Sequence, residues 1–337
     1  MTEERRAAGR VKSPPRFLHE IVAWLRQHPE FGAFAGLLLV FTGFSLTATR
    51  FLTGDSLAGI LTVAAELGIV SAGITFLMIS GEFDLSVGSV LGVAAMIFAL
   101  AARAGWPLFL GWILALFASA SIGFLNGLIT VRAGIPSFIT TLGTMMFWRG
   151  ILLAVTGGFP VSYFPAITPT MFLILNGRFA GQFRASALWF LGIILLLNII
   201  LVRTRYGNAV YATGGNRDAA RVLGVATDQV KIINFVISAL LAGLAGCIQF
   251  ARFLSVDPMR GLGLELEAIA AAVIGGTLLT GGAGNLIGTL FGVLLVGMVR
   301  SGLVQAGAPA YWYQAFVGVI VVVAVVVNTS LRRWALK

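Results

Sequence analysis

The sequence predicts an all-α polytopic membrane protein of about ten transmembrane helices, on three observations. Hydrophobic residues make up 58% of the 337 residues and charged residues 11%, against about 45–50% and about 25% in soluble domains. The apolar residues gather into runs close to the ~20 residues that a bilayer core of ~30 Å demands. The 23 Lys and Arg behind the net charge of +10 fall almost entirely between those runs.

Residues 1–30 form a basic segment, with Arg5, Arg6, Arg10, Lys12, Arg16 and Arg26. Within it "FLHEIVAWLRQ" places Phe17, Leu18, Ile21, Val22 and Leu25 on one helical face. That face lies flat on the membrane interface or packs on the protein itself. No small-residue cleavage site follows, so the first apolar run reads as an uncleaved anchor. The transmembrane domain then occupies residues 31–331, and 332–337 form a basic tail.

The ten spans centre on 33–52, 57–79, 87–103, 108–131, 136–156, 186–202, 232–252, 264–280, 285–304 and 311–329. With the N-terminus inside, six spans return the chain to the cytoplasm at Arg203, and four more bring the C-terminus inside. Of the 23 Lys and Arg, 15 then lie inside, 7 outside and one, Arg149, within a span, as positive-inside bias requires. The charge reports topology, and no basic stripe interleaved with aromatics points to nucleic acid.

Several chemistries are excluded by absence. Cys247 is the single cysteine, and the two histidines, His19 and His28, precede the first span. No disulfide framework, thiolate cluster or intramembrane histidine site is available, and no metal site is expected. None of the three lysines follows a glycine, so no G-x-x-x-x-G-K-[ST] phosphate loop exists. G-x-S-x-G and H-E-x-x-H are absent too, and no catalytic residue is assigned. Energised work would have to draw on an ion gradient or on another chain.

Two hairpin turns echo each other. "SGEFDLSVGSVLGV" (80–93) aligns with "TGGAGNLIGTLFGV" (280–293) at an offset of 200, with four identities: Gly81/Gly281, Gly88/Gly288, Gly92/Gly292 and Val93/Val293. This fits an internal parallel repeat of the kind transporters use. Gly88 and Gly92 stand one helical turn apart, a small face that serves close helix packing or a moving hairpin.

Carboxylates in or beside spans need a reason, since burial near mid-membrane costs about 2.5–3.5 kcal/mol on insertion scales. Glu66 is the candidate intramembrane acid. Glu82 and Asp84 lie at an inner turn, where Asp84, followed by Ser86, caps a helix start or contacts substrate. Glu265 and Glu267 stand near the outer end of the eighth span. Pro136, Thr141 and Thr144 are pathway candidates by polarity and position, as are Phe147 and Gln249.

Two loops stand out. The outer loop 157–185 carries three prolines between Pro160 and Pro169, which break any continuous helix. It also bears Arg178 and Arg184, cations on the disfavoured side, placed to meet an acidic partner or simply solvated. The inner loop 203–231 contains "GGNRDAARVLGV". Asn216 is a helix cap, Asp218 falls in the first turn and Gly224 can end the helix. Ala219, Val222 and Leu223 share one apolar face, with Arg217 and Arg221 behind. So short a helix is unstable alone and must dock, on its own span ends or in a groove of another protein.

Four of these segments carry a resemblance. "DAARVLG" (218–224) resembles the cytoplasmic loop of bacterial ABC importer permeases, Glu-Ala-Ala-x-x-x-Gly, with Asp218 for the usual glutamate. "GEFDLSVGS", "IPSFITTLGT" (135–144) and "GGTLLTGGAG" (275–284) are similar to segments of the ribose/xylose-type branch, in the same order, with Glu82 where a glycine is usual. The resemblance implies a permease subunit of a binding-protein-dependent importer of a monosaccharide or related polyol, multi-pass in the bacterial inner membrane. It implies a homodimer, two cytoplasmic ATPase subunits that hold the ATP and Mg, a periplasmic binding protein that docks near Arg178 and Arg184, and no cofactor in this chain. Residues 216–224, with Asn216, Arg217, Asp218, Ala219, Ala220, Val222, Leu223 and Gly224, would form the coupling helix. The alternative is a secondary transporter coupled to protons or sodium through Glu66 or Asp84. A membrane-embedded enzyme finds no nucleophile constellation.

Overall fold

The computed structural model describes residues 30–309 and 311–334. The amphipathic helix predicted over 17–27 and the residues 335–337 lie outside the described residues. Within them about three quarters of the residues are helical, and the strands are four two-residue pieces. In order come α1 (Glu30–Thr47), α2 (Gly54–Ile79), α3 (Val87–Arg103), α4 (Leu108–Arg132) and α5 (Ser137–Thr156). After these come β1 (Val161–Ser162), α6 (Thr170–Asn176), β2 (Arg178–Phe179) and β3 (Phe183–Arg184), and then α7 (Ala185–Arg203), α8 (Arg205–Gly215) and α9 (Arg217–Val222). The last are α10 (Thr227–Phe253), β4 (Ser255–Val256), α11 (Leu264–Ile274), α12 (Leu286–Gln305) and α13 (Trp312–Trp334). Each of the ten predicted spans is met by a helix, and α1, α2, α4, α5, α7, α10 and α12 are long and apolar enough to cross a membrane.

α2 and α10 form the centre. Lipid is as apolar as leucine, so helices associate through close packing rather than hydrophobic exclusion, and glycines permit it. A Cβ at Gly246 of α10 would stand 2.2 Å from the Leu91 carbonyl oxygen, and one at Gly73 of α2 would stand 2.7 Å from Ser238 Cα. α1 is peripheral, burying only Ala33 and Leu37 among its apolar residues.

The eighth span departs from expectation. In place of a helix over 264–280, α11 is only 11 residues, about 16 Å at 1.5 Å per residue. Gly276 takes a left-handed φ of +92° and ends it, and the preceding segment 257–263 is irregular, with Gly261 and Gly263 at +82° and +83°. Irregular backbone at membrane depth must find its hydrogen bonds in protein. Arg149 supplies two of them, its Nη1 donating to the carbonyls of Pro258 (2.6 Å) and Arg260 (2.9 Å). That accounts for the one basic residue placed inside a span.

The two echoing turns share a backbone conformation and meet. Gly81 and Gly281 adopt φ +85° and +81°, and a Cβ on Gly281 would stand 2.8 Å from Gly81 Cα. The Gly282 amide donates to the Ile79 carbonyl at 2.8 Å. The turns after α2 and after α11 thus meet on one face of the bundle. α8 joins them there, since Tyr211 Oη donates to the Gly284 carbonyl at 2.8 Å. On the opposite face β1 pairs antiparallel with β4, Val161 beside Val256.

Candidate functional site

α9 is built as its residues dictate. Asn216 Oδ1 accepts from the Ala219 amide at 3.0 Å, capping the first turn. At the other end the Gly224 amide donates to Arg221 and the Val225 amide to Ala220, both at 2.9 Å, with Gly224 at φ +86°. This is a Schellman closure, and it needs both the left-handed φ and the Gly224 N–H. Ala220 turns inward and is buried, whereas Ala219, Val222 and Leu223 face outward, the last two 87% and 83% exposed. The apolar face is therefore not docked on the chain's own span ends.

The arginines of α9 are not a bare basic back. Arg217 Nη2 lies 2.9 Å from Asp228 Oδ1, and Arg221 also pairs with Asp228 and donates to Thr227 Oγ1 at 3.0 Å. α9 is thereby clamped to the first turn of α10. α8 fixes it from the other side. Tyr206 Oη donates to Asn234 Oδ1 at 2.6 Å, and burial raises the pKa of both Tyr206 and Tyr211, keeping their phenols neutral donors. A Cβ at Gly214 would stand 1.9 Å from the Ile79 carbonyl oxygen, and one at Gly282 would stand 2.7 Å from Gly215 Cα. The strand of chain leading into α9 is thus wedged between the two repeat turns.

From the first of those turns the segment 82–86 runs on, non-helical, to α3. Glu82 forms a buried ion pair with Lys231 of α10. Asp84 is fully buried: its Oδ1 accepts from the Ser86 amide (2.8 Å) and Ser86 Oγ (2.6 Å), and Ser238 Oγ donates to Oδ2 at 3.4 Å. Asp84 thus caps the turn at Ser86 just before α3, and Asn126 Nδ2 donates to Ser86 Oγ at 2.8 Å. α5 holds the same segment from its flank. Ser137 Oγ accepts from the Phe83 amide and Thr141 Oγ1 from the Leu85 amide, each at 3.1 Å. Two segments quoted separately from the sequence, "GEFDLS" and "IPSFITT", are therefore locked together.

The remaining predicted residues fall as follows. Pro136 precedes α5, and Thr144 Oγ1 donates to the Thr141 carbonyl at 3.2 Å. Gly88 packs backbone to backbone on Gly261, where a Cβ would stand 2.2 Å from its carbonyl oxygen. Glu66 is paired with Arg252 Nη1 at 2.8 Å. Arg178 and Arg184 lie in the β2–β3 hairpin on the face opposite α9. Sequence reading missed Lys231, Asn126, Ser137, Ser238 and the role of Arg149. A lysine and an amide within otherwise apolar runs were the only available signals.

A bundle of membrane-spanning helices, interrupted by irregular backbone at depth and carrying an outward-facing helix at one end, is a membrane transport component. Residues 56–325 match the family described as branched-chain amino acid transport system / permease component, and the chain belongs to it. It is 34% identical over 310 residues to the ribose import permease protein RbsC of Escherichia coli (strain K12), covering 91% of this chain and 95% of that protein. It is 32% identical over 311 residues to the autoinducer 2 import system permease protein LsrC of Photorhabdus luminescens, covering 91% and 92%. A further LsrC, from Yersinia pseudotuberculosis, is 31% identical over 319 residues, covering 93% and 88%. The chain is a multi-pass permease subunit and not an enzyme.

Proposed function

We propose that this chain is the membrane-spanning subunit of an ATP-driven, binding-protein-dependent importer that carries a monosaccharide or related polyol inward. The observation that carries the reading is α9: a helix capped at both ends whose Val222 and Leu223 are left uncovered among the described residues. Full burial of each of these side chains contributes about 1.5–3 kcal/mol, enough to seat the helix in a groove of a cytoplasmic ATPase. ATP and Mg belong to that subunit. The α9 face and both termini are cytoplasmic, and two copies of the chain form one pathway.

Coupling has a physical route. A push on α9 is carried by Gly214 and Gly215 into the repeat turns at Gly81 and Gly281, and by Asp228 and Lys231 into the Glu82–Ser86 segment. The binding protein docks on the opposite face, where Phe164 and Ile167 of the outer loop stand 87% and 84% exposed. The names of the relatives, ribose import and autoinducer 2 import, favour a small polar cargo. A gradient-driven transporter is disfavoured because Glu66 is held by Arg252 and Asp84 is sealed among its donors.

The test is affinity purification of the full chain from its native host in mild detergent, with quantitative mass spectrometry. A P-loop ATPase at about one copy per permease chain is expected. Its absence, under conditions that preserve a known importer complex, overturns the reading.

A further inference from the structure

The face opposite α9 holds a cavity of ≈ 310 Å³ lined by Asp55 and Thr62 of α2, by Arg178, Gln182 and Arg184 of the β2–β3 hairpin, and by Arg252 in the last turn of α10. Three guanidiniums converge there against one lining carboxylate. Arg252 already serves Glu66 at 2.8 Å, and among the described residues neither Arg178 nor Arg184 has an ion-pair partner. Arg184 donates only to the Asn176 carbonyl, at 3.3 Å.

The hairpin places these two cations unfavourably for an empty site. Arg178 and Arg184 are directly opposite each other in the β2–β3 register, and like charges so placed destabilise a strand pair. The pKa of Arg184 is lowered, first by burial and then by the positive charges of Arg252 and Arg178. An arrangement of this kind is relieved by an anion. A phosphate suits it, since planar guanidinium forks bind its oxygens two at a time.

The depth of the cavity selects the source. α2 has 26 residues, about 39 Å, and so exceeds a hydrocarbon core of ~30 Å. Asp55 to Thr62 are its first two turns, Arg184 immediately precedes α7 and Arg252 lies in the last turn of α10. All three elements reach the cavity at helix ends, the level of lipid headgroups. Basic pockets between transmembrane helices hold anionic headgroups on the cytoplasmic side of membranes, and this cavity offers the same guanidinium chemistry at the opposite face. At Gly59, which also lines the cavity, nothing stands within 4 Å of a Cβ position, so that wall is open.

In place of the docking role that the sequence suggests for Arg178 and Arg184, we propose that these two and Arg252 form a site for the phosphate group of an anionic phospholipid. The site does not depend on the importer reading.

The experiment is native mass spectrometry of the full chain released from nanodiscs of equal phosphatidylcholine and phosphatidylglycerol. Wild type is compared with the double variants Arg178→Gln/Arg184→Gln and Arg178→Lys/Arg184→Lys, the latter keeping charge and fold. Wild type is expected to retain phosphatidylglycerol over phosphatidylcholine, the Gln pair to lose about tenfold of that preference, and the Lys pair, which keeps the charge but not the bidentate fork, to fall between the two. Excess inorganic phosphate should not displace the lipid. Equal retention of phosphatidylglycerol by wild type and the Gln pair overturns the proposal. No lipid preference, with inorganic phosphate raising the melting midpoint of wild type alone, overturns the lipid source and assigns the cavity to free phosphate. Unchanged lipid binding with lost stimulation by the binding protein overturns it as well and returns the arginines to docking.

Discussion

Replacing Lys231 with Met should cost roughly 3–5 kcal/mol, the usual penalty for stranding one member of a buried ion pair. Glu82 is 9% exposed and Lys231 7%, so water cannot take over either charge once its partner is gone. Replacing Glu82 with Gly strands the ammonium in the same way. Removing both charges is different. The desolvation of a buried pair nearly cancels its mutual attraction, so Glu82→Gly/Lys231→Met should lie within about 1–2 kcal/mol of wild type. The double variant also restores the Gly-Gly that the resembling segments carry. The assay is the melting midpoint of the full chain in detergent, followed by size-exclusion fluorescence across the four proteins of the cycle. Each single variant should melt clearly below wild type and the double variant should recover most of the loss. A double variant as low as the sum of the two singles would mean no coupling, and the account of Glu82 as tolerable only because of Lys231 would be wrong.

Four further variants address α9 and the irregular segment. Gly224→Pro removes the N–H that bonds Arg221 and forbids φ +86°, and Ala219→Glu places a charge on the exposed apolar face; both should abolish uptake with normal membrane levels by immunoblot, and unimpaired uptake in both would sink the coupling role. Val222→Ala/Leu223→Ala removes about five buried methylene equivalents, so ATPase binding should weaken by about 2–4 kcal/mol, roughly 30- to 700-fold in Kd by titration; an unchanged Kd would place the contact elsewhere. Arg149→Met strips the carbonyls of Pro258 and Arg260 of their charged donor, at about 1.5–3 kcal/mol per bond; a melting midpoint equal to wild type would show that the segment 257–263 is held by other means.

The sequence by itself determined the class, the places along the chain where the long helices fall, and the closure of α9. Each rests on interactions between near neighbours: runs of apolar residues, a cap three residues from its donor, a glycine just beyond the last turn. It also placed the two echoing turns, because identical glycines 200 residues apart need the same left-handed backbone. It did not show that the eighth span is an 11-residue helix fed by irregular chain, because a hydropathy window cannot distinguish helix from backbone whose hydrogen bonds come from elsewhere. Tertiary structure decided the partners. Glu82 meets Lys231 across 149 residues, Arg149 meets Pro258 across 109, and Thr141 meets Leu85 across 56. It also decided that Val222 and Leu223 stay uncovered while Ala220, between them and the cap, is buried. Those outcomes depend on how closely backbones approach at Gly73, Gly246 and the turn residue Gly281, a property of packed chain in three dimensions that local spacing along the sequence does not encode.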